Sequence, residues 1–250
     1  MKSITACSVL VLLAVCLTAQ NLVPNPGFEK HRSFDCYGCY MDPVQFEHLM
    51  MGWQDLNTNP ILCDCQYKPS ADEGKHDNCQ TEPASGCSMM QLEYLARCTD
   101  WDKKSYGCSS YLGQSLTEPL QVGKVYELAF QLYIPTQSGD LDMPHQIGLA
   151  LYPKPVYNSN SGMLRSAGFL VDTVIYNQWY RVSWRIRPVC ELSYLALGVF
   201  RTAGWPRVHQ SEFHQKFYVD ELSVTAVDAQ PTDSIMVFCH SPDWEERVEI

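Results

Sequence analysis

The sequence predicts an all-β sandwich with at most short helices. Three observations carry this. After residue 110 apolar and polar residues alternate with period two, segment after segment; turn-forming residues recur every 8–15 positions; and no long helical period runs through the chain. The 46% hydrophobic and 18% charged composition over 250 residues is that of a folded chain and excludes a disordered one.

The chain opens on MKSITACSVLVLLAVCLTAQ. Lys2, the short apolar run Ile4 to Leu17 and the small residues Thr18-Ala19 form a secretory signal, too short to span a bilayer, with cleavage expected near Ala19. Residues 1–19 are therefore the signal peptide, 20–228 the sandwich with a cysteine-rich insertion at about 30–110, and 229–250 a C-terminal tail. No later stretch reaches the roughly 18 apolar residues of a membrane span. The protein is expected to be secreted and extracellular.

In the insertion, DPVQFEHLMMGW predicts a short helix from Pro43, capped by Asp42. SMMQLEYLARC (88–98) reads two ways: Ser88 and Gln91 resemble a capping box, while Met90, Leu92 and Tyr94 alternate like a strand. Beyond it, turns are expected at Glu118-Pro119 and Val122-Gly123, then a strand through Val125, Leu128, Phe130, Leu132 and Ile134. HQIGLALYP (145–153) and GFLVDTVI (168–175) are short strands. QWYRVSWRIRP (178–188) sets Tyr180, Val182, Trp184 and Ile186 against Arg181, Ser183, Arg185 and Arg187, one face core and the other cationic. LSYLALGVFR (192–201) is apolar throughout and predicts a central strand. KFYVDELSVTAV (216–227) alternates again, and the tail leaves the pattern apart from IMVFC at 235–239.

Removing Cys7 and Cys16 with the signal leaves ten cysteines: Cys36, Cys39, Cys63, Cys65, Cys79, Cys87, Cys98, Cys108, Cys190 and Cys239. An even number behind an export signal reads as disulfides. The simplest partition pairs the first eight among themselves and Cys190 with Cys239, though spacing does not fix connectivity. CYGC (36–39) and CDC (63–65) with His31, His48 and His76 also have metal-like spacing, but disulfides outweigh zinc in an exported chain. A net charge of −10 argues against nucleic acid and anionic membrane surfaces. No N-x-S/T sequon is present.

NLVPNPGFE (21–29), SLTEPLQVGKVYELAFQLYI (115–134) and KFYVDELSV (216–224), in that order, resemble the galactose-binding-like jelly-roll superfamily, which includes carbohydrate-binding modules of glycoside hydrolases. The nearest likeness is to NLVPNPxFE modules of bacterial outer-membrane and motility-associated proteins, with Gly52-Trp53 and the link from Asp172-Thr173 to Trp179 in similar places. The resemblance implies a jelly roll of two antiparallel sheets with long disulfide-tied loops. It implies that the first strand lies beside the last, that Phe28 enters the core, and that Asn-Pro-Gly turns the chain across the sandwich end. It also implies a structural calcium held by Glu29 and Asp220 with backbone carbonyls; Asp220-Glu221 stands where Asp-Asp is common.

No GxSxG or HExxH is present, and the pairs Asp100/Asp102 and Asp140/Asp142 read as loop acids. The chain is read as a non-catalytic recognition module for carbohydrate or glycoprotein in a matrix or at a cell surface. The alternative is a structural or adhesive matrix protein working through protein–protein assembly, self-association included, and a glycoside hydrolase is a weaker one. Sugars stack their C–H faces on aromatic rings. The platform candidates are Trp101, Tyr106, Tyr111 and Trp205, with Asp100, Asp102 and Arg207 as polar neighbours; their competing role is packing on the sandwich ends. The row Arg181, Arg185 and Arg187 is expected to pair with the chain's own acids, or else to meet an anionic partner.

Overall fold

A computed structural model describes residues 20–32, 43–57, 61–64, 81–99, 105–136, 146–156, 168–200 and 214–239. One helix, α1 (Pro43–Leu49), precedes the strands β1 (Trp53–Asn57), β2 (Ile61–Asp64), β3 (Ser88–Thr99), β4 (Ser105–Ser109), β5 (Tyr111–Leu120) and β6 (Tyr126–Tyr133). Then follow β7 (Ile147–Tyr152), β8 (Phe169–Leu170), β9 (Tyr180–Pro188), β10 (Leu192–Val199), β11 (His214–Ala226) and β12 (Ile235–Val237).

The strands form a sandwich of two sheets. The five-stranded sheet runs β1-β5-β10-β7-β8; the seven-stranded sheet runs β12-β9-β6-β11-β3-β2, with β4 paired to β3. When β3, β5, β6, β7, β8, β9, β10 and β11 are counted as one to eight, the sheets read 1-8-3-6 and 2-7-4-5. That interleaving is two Greek keys closed into a jelly roll.

The alternating patterns sort side chains as period two requires. On β9, Val182 and Ile186 are buried while Arg181, Ser183 and Arg185 are exposed. Between the sheets, Phe130 and Phe169 flank Trp184 at ring-centroid distances of 6.0 and 5.8 Å. The ambiguous 88–98 segment is strand β3. Met90 and Leu92 enter the main core and Met89 packs with Tyr218 on the opposite face, so strand pairing with β11 overrides the capping signal.

Four expectations need correction. β5 runs straight through Glu118-Pro119, because its register with β10 jumps from Tyr194↔Ser115 to Leu192↔Leu120; Pro119 sits in that irregularity, where no ladder donor is required. GFLVDTVI yields only the two residues of β8, although Val171 N–H still donates to Ile147 C=O at 2.8 Å. The tail does not leave the fold at once: β12 adds to β9 in parallel, so the seven-stranded sheet is not wholly antiparallel. Finally, the N-terminal segment lies beside the last strand without forming a regular strand of its own. The turn at Val122-Gly123 is where it was expected, with Gly123 at φ +80°.

A second apolar layer lies on the outer face of the five-stranded sheet. Tyr111, Tyr152, Tyr194 and Phe200 are buried there with Ala150 and Ala196. This explains why β10 reads as apolar on both faces. Gly198 makes the layer possible: a Cβ at this position would lie 2.3 Å from Tyr111 Cδ1 and 2.6 Å from the Ser110 carbonyl oxygen. The backbone oxygen cannot rotate away. Gly198→Ala is expected to lower unfolding free energy by about 2–3 kcal/mol in urea titration; an unchanged midpoint would show the layer to be loosely packed.

Candidate functional site

The segment NLVPNPGFE is built from amide clamps around two apolar anchors. Leu22 and Val23 are buried. Leu22 N–H donates to Val224 C=O at 2.9 Å in one sheet, and Leu22 C=O accepts from Thr117 N–H at 2.9 Å in the other. Asn21 Oδ1 accepts from Val224 N–H at 3.0 Å and Asn21 Nδ2 donates to Leu222 C=O at 3.1 Å. The buried Asn25 side chain does the same for Lys30, accepting from its N–H at 3.0 Å and donating to its C=O at 2.9 Å. Trp53 Nε1–H closes on the Asn25 carbonyl at 2.9 Å.

Phe28 is wholly buried, as the resemblance implied, with its ring 5.0 Å from that of Trp53. Its φ of +59° is left-handed and costs about 1–2 kcal/mol for a residue with a Cβ. The reversal therefore falls at Phe28 itself, after Asn-Pro-Gly. Burying an aromatic ring outweighs that cost.

The turn delivers Glu29 to the start of β3. Glu29 Oε1 accepts from the N–H groups of Cys87 at 2.7 Å and Ser88 at 2.8 Å. Asp220, fully buried, reaches the same segment: Oδ2 accepts from Ser85 N–H at 3.1 Å and Oδ1 from Glu221 N–H at 2.7 Å. Gly27 lies between the two acids, its Cβ position 3.5 Å from Asp220 Oδ1 and 3.7 Å from Glu29 Cγ. Burial pushes the Asp220 carboxyl up to about 6, against the lowering effect of the Ser85 and Glu221 N–H bonds. Carboxylate oxygens are the hard donors a divalent cation takes, and these two lie along one segment, where their partners are N–H and hydroxyl donors. Among the described residues there is no cluster of three or more His, Cys, Asp or Glu.

Cys190 and Cys239 are disulfide-bonded, with Cα atoms 6.1 Å apart, as the partition proposed. Cys87 is also disulfide-bonded. Cys36, Cys39, Cys65 and Cys79 lie outside the described residues, as do the side chains of Cys63, Cys98 and Cys108.

The platform candidates divide. Asp100, Trp101, Asp102, Trp205 and Arg207 lie outside the described residues, and so does the side chain of Tyr106 in β4. Tyr111 is not a surface platform. It is wholly buried, its hydroxyl donates to Val199 C=O and its ring packs on Phe200 at 5.4 Å, so it offers no face to a ligand. Within the arginine row, Arg181 is paired with Glu127 as expected.

No known protein family and no curated protein matches this sequence. Solved structures do overlap it. The CBM22-1 xylan-binding domain from Paenibacillus barcinonensis Xyn10C aligns with a TM-score of 0.39 and 12% identity, over 82% of this chain and 94% of that one. The K2 cleaved adhesin domain of Lys-gingipain aligns with a TM-score of 0.31 and 9% identity, over 80% and 96%. Overlaps this loose carry no weight on ligand or partner.

The Asp220 shift sets a pH dependence. The folded value lies above the unfolded 3.8. The folded state therefore holds the proton more tightly, and this group's stabilisation is present below about pH 4 and lost as pH rises through about 6. Asp220→Asn removes that titration. In metal-free buffer the unfolding free energy of the variant minus that of the wild type should move in the variant's favour by roughly 2–3 kcal/mol between about pH 4 and 7.5. A difference that stays flat would contradict the burial assigned to this carboxyl.

Proposed function

We propose that this protein is a secreted, non-catalytic recognition module of galactose-binding-like jelly-roll type that binds carbohydrate or glycoprotein outside the cell. The observation that carries the reading is topological. Residues 100–104 join β3 to β4, and 201–213 join β10 to β11. β3 ends at Thr99 beyond its pairing of Leu95 with His214, the first residue of β11, and β10 ends at Val199 opposite Ile147, the first residue of β7. The strand ends flanking both connections therefore lie at one end of the sandwich. The connections carry Trp101 with Asp100 and Asp102, and Trp205 with Arg207. Aromatic faces beside polar groups suit a sugar ring, whose C–H face stacks while its hydroxyls are held.

The disulfides at Cys190–Cys239 and Cys87 support an oxidising compartment. No helix among the described residues is long and apolar enough to cross a membrane. A structural calcium held by Glu29 and Asp220 belongs to the same reading; it would offset the charge that burial of Asp220 leaves exposed to little solvent, and so hold the two ends of the chain together.

Glycan-array binding with and without chelator tests the reading. The wild type is expected to bind a restricted set of glycans. Trp101→Ala or Trp205→Ala should weaken binding about tenfold or more without changing the melting temperature, and chelator should lower that temperature. A blank array would overturn the recognition role, and a melt indifferent to chelator would remove the metal.

A further inference from the structure

On the outer face of the seven-stranded sheet, at the end opposite those connections, charge and apolar surface lie side by side. Neither the core nor the proposed glycan site uses them. Val182 and Ile186 of β9 turn inward, so Arg181, Ser183, Arg185 and Arg187 turn outward. β12 lies beside β9 in parallel, with Met236 opposite Arg187. Val237 belongs to the core, so its neighbours Met236 and Phe238 also turn outward, and both are exposed. Paired residues of neighbouring strands share a face. Arg185, Arg187, Met236 and Phe238 therefore stand on one face of two adjoining strands.

The two arginines are uncommitted. Glu127, across the ladder from Arg185, is engaged by Arg181. Arg185 and Arg187 have no acidic partner among the described residues. The support beneath them is firm. Val189 N–H donates to Val237 C=O at 3.0 Å, and the Cys190–Cys239 disulfide ties the end of β12 to the turn after β9. Outward residues of one strand stand about 6.7 Å apart, and the neighbouring strand lies about 4.8 Å away. The result is a flat, fixed patch, with two cations along one strand and two apolar side chains along the next.

A ligand that fills this patch has to present anionic and apolar groups on the same side. An extended peptide of alternating residues does not, because its side chains go to opposite faces. An acidic sugar does: the C–H face of the ring lies next to the carboxylate or sulfate that the ring carries. The guanidinium fork also matches such planar or multidentate anions better than a point charge would.

We infer that this face is a binding site for an acidic oligosaccharide. One ring stacks on Phe238 and packs against Met236, and the anionic groups along the glycan are bonded by Arg187 and Arg185. Ser183, exposed next along β9, takes a hydroxyl of the same ligand. The chain as a whole, at net charge −10, repels such a ligand, so its capture depends on these two arginines. The inference rests on the carbohydrate reading above for the kind of ligand, but not on the connections that carry Trp101 and Trp205.

The test is fluorescence anisotropy of the full-length protein with three labelled probes of matched length: an oligogalacturonate, a heparin oligosaccharide and a polyphosphate. At least one of the two acidic glycans is expected to bind, and which of them binds tells carboxylate from sulfate recognition. Polyphosphate, which has the charge without the apolar face, should bind about tenfold more weakly or less. Arg185→Gln with Arg187→Gln should weaken the glycan about tenfold or more and flatten its salt dependence, with near-UV circular dichroism unchanged. Phe238→Ala should weaken it about threefold or more at unchanged salt dependence. Trp101→Ala with Trp205→Ala should leave this affinity as it is. Acidic-glycan binding that is lost in the tryptophan variant and kept in the arginine variant would overturn the inference while leaving the recognition role standing. Binding of neither acidic glycan, or equal binding of polyphosphate, would overturn it too, and the array result that reads the tryptophan connections would be untouched. So would a wild-type dimer that Arg187→Glu converts to monomer. So would binding that appears only after Asp243→Asn, Glu245→Gln, Glu246→Gln and Glu249→Gln, which would make the chain's own residues 240–250 the occupant. Should the arginine variant misfold, Met236→Glu with the same probes keeps the test open: glycan affinity should fall, and unchanged affinity contradicts the site.

Discussion

The segment from Asn21 to Glu29 completes the half of β11 that β3 does not reach. β3 pairs with β11 only as far as Met90↔Val219. Beyond it β11 bulges, with its register on β6 shifting between Asp220 and Ser223 and Glu221 at φ +50°. Leu222 and Val224 then turn their backbone groups away from β6, toward an edge with no strand on it. The N-terminal segment supplies the missing partners. Pro26 C=O takes Leu222 N–H at 2.9 Å, and Asn21 and Leu22 take the groups of Val224. Leu22 also accepts from Thr117 in the facing sheet. One extended stretch therefore bonds to both layers and closes the seam between them. Were it removed, buried N–H and C=O groups of β11 would lose their partners, at about 1–3 kcal/mol for each.

That closure positions everything else at this place. Phe28 adopts an unfavourable backbone because its ring fills the space beside Trp53. Only after that reversal does Glu29 reach the amides of Cys87 and Ser88. Asp220, opposite Gln131, is the last paired residue before the bulge, and its buried carboxylate accepts there from the N–H groups of Ser85 and Glu221. The two acids reach one segment, residues 85–88, from two irregularities, one in the leading segment and one in the last strand.

Much of the sandwich was legible from period two alone. β9, β10 and β11 alternate or run apolar as their burial requires, and Val122-Gly123 carries its turn in its glycine. What escaped was anything decided by a neighbour distant in sequence. Pro119 looks like a chain break until the irregular register of β5 and β10 removes the need for its N–H. Ser88 and Gln91 look like a helix cap until β2 pairs with the one and β11 with the other. Tyr111 looks like a ligand platform because nothing local reveals a second buried layer behind the five-stranded sheet; the glycines at 113, 148 and 198 were the available signal, since each falls where an added Cβ would collide with that layer or with β8. That Glu29 and Asp220 both bond the 85–88 segment was expected only as an approach of the two acids, through resemblance. β12 showed in the sequence only as the apolar run IMVFC; its parallel pairing with β9 was not legible, since a three-residue strand has no measurable period.

Hydrogen exchange at single-amide resolution tests the closure most directly. The amides of Leu22, Thr117, Leu222 and Val224 should exchange as slowly as those in the centres of β6 and β10, through global unfolding only. If they exchange orders of magnitude faster than those central strands, the N-terminal stretch does not close the sandwich, and the account of how its two acids are brought together fails.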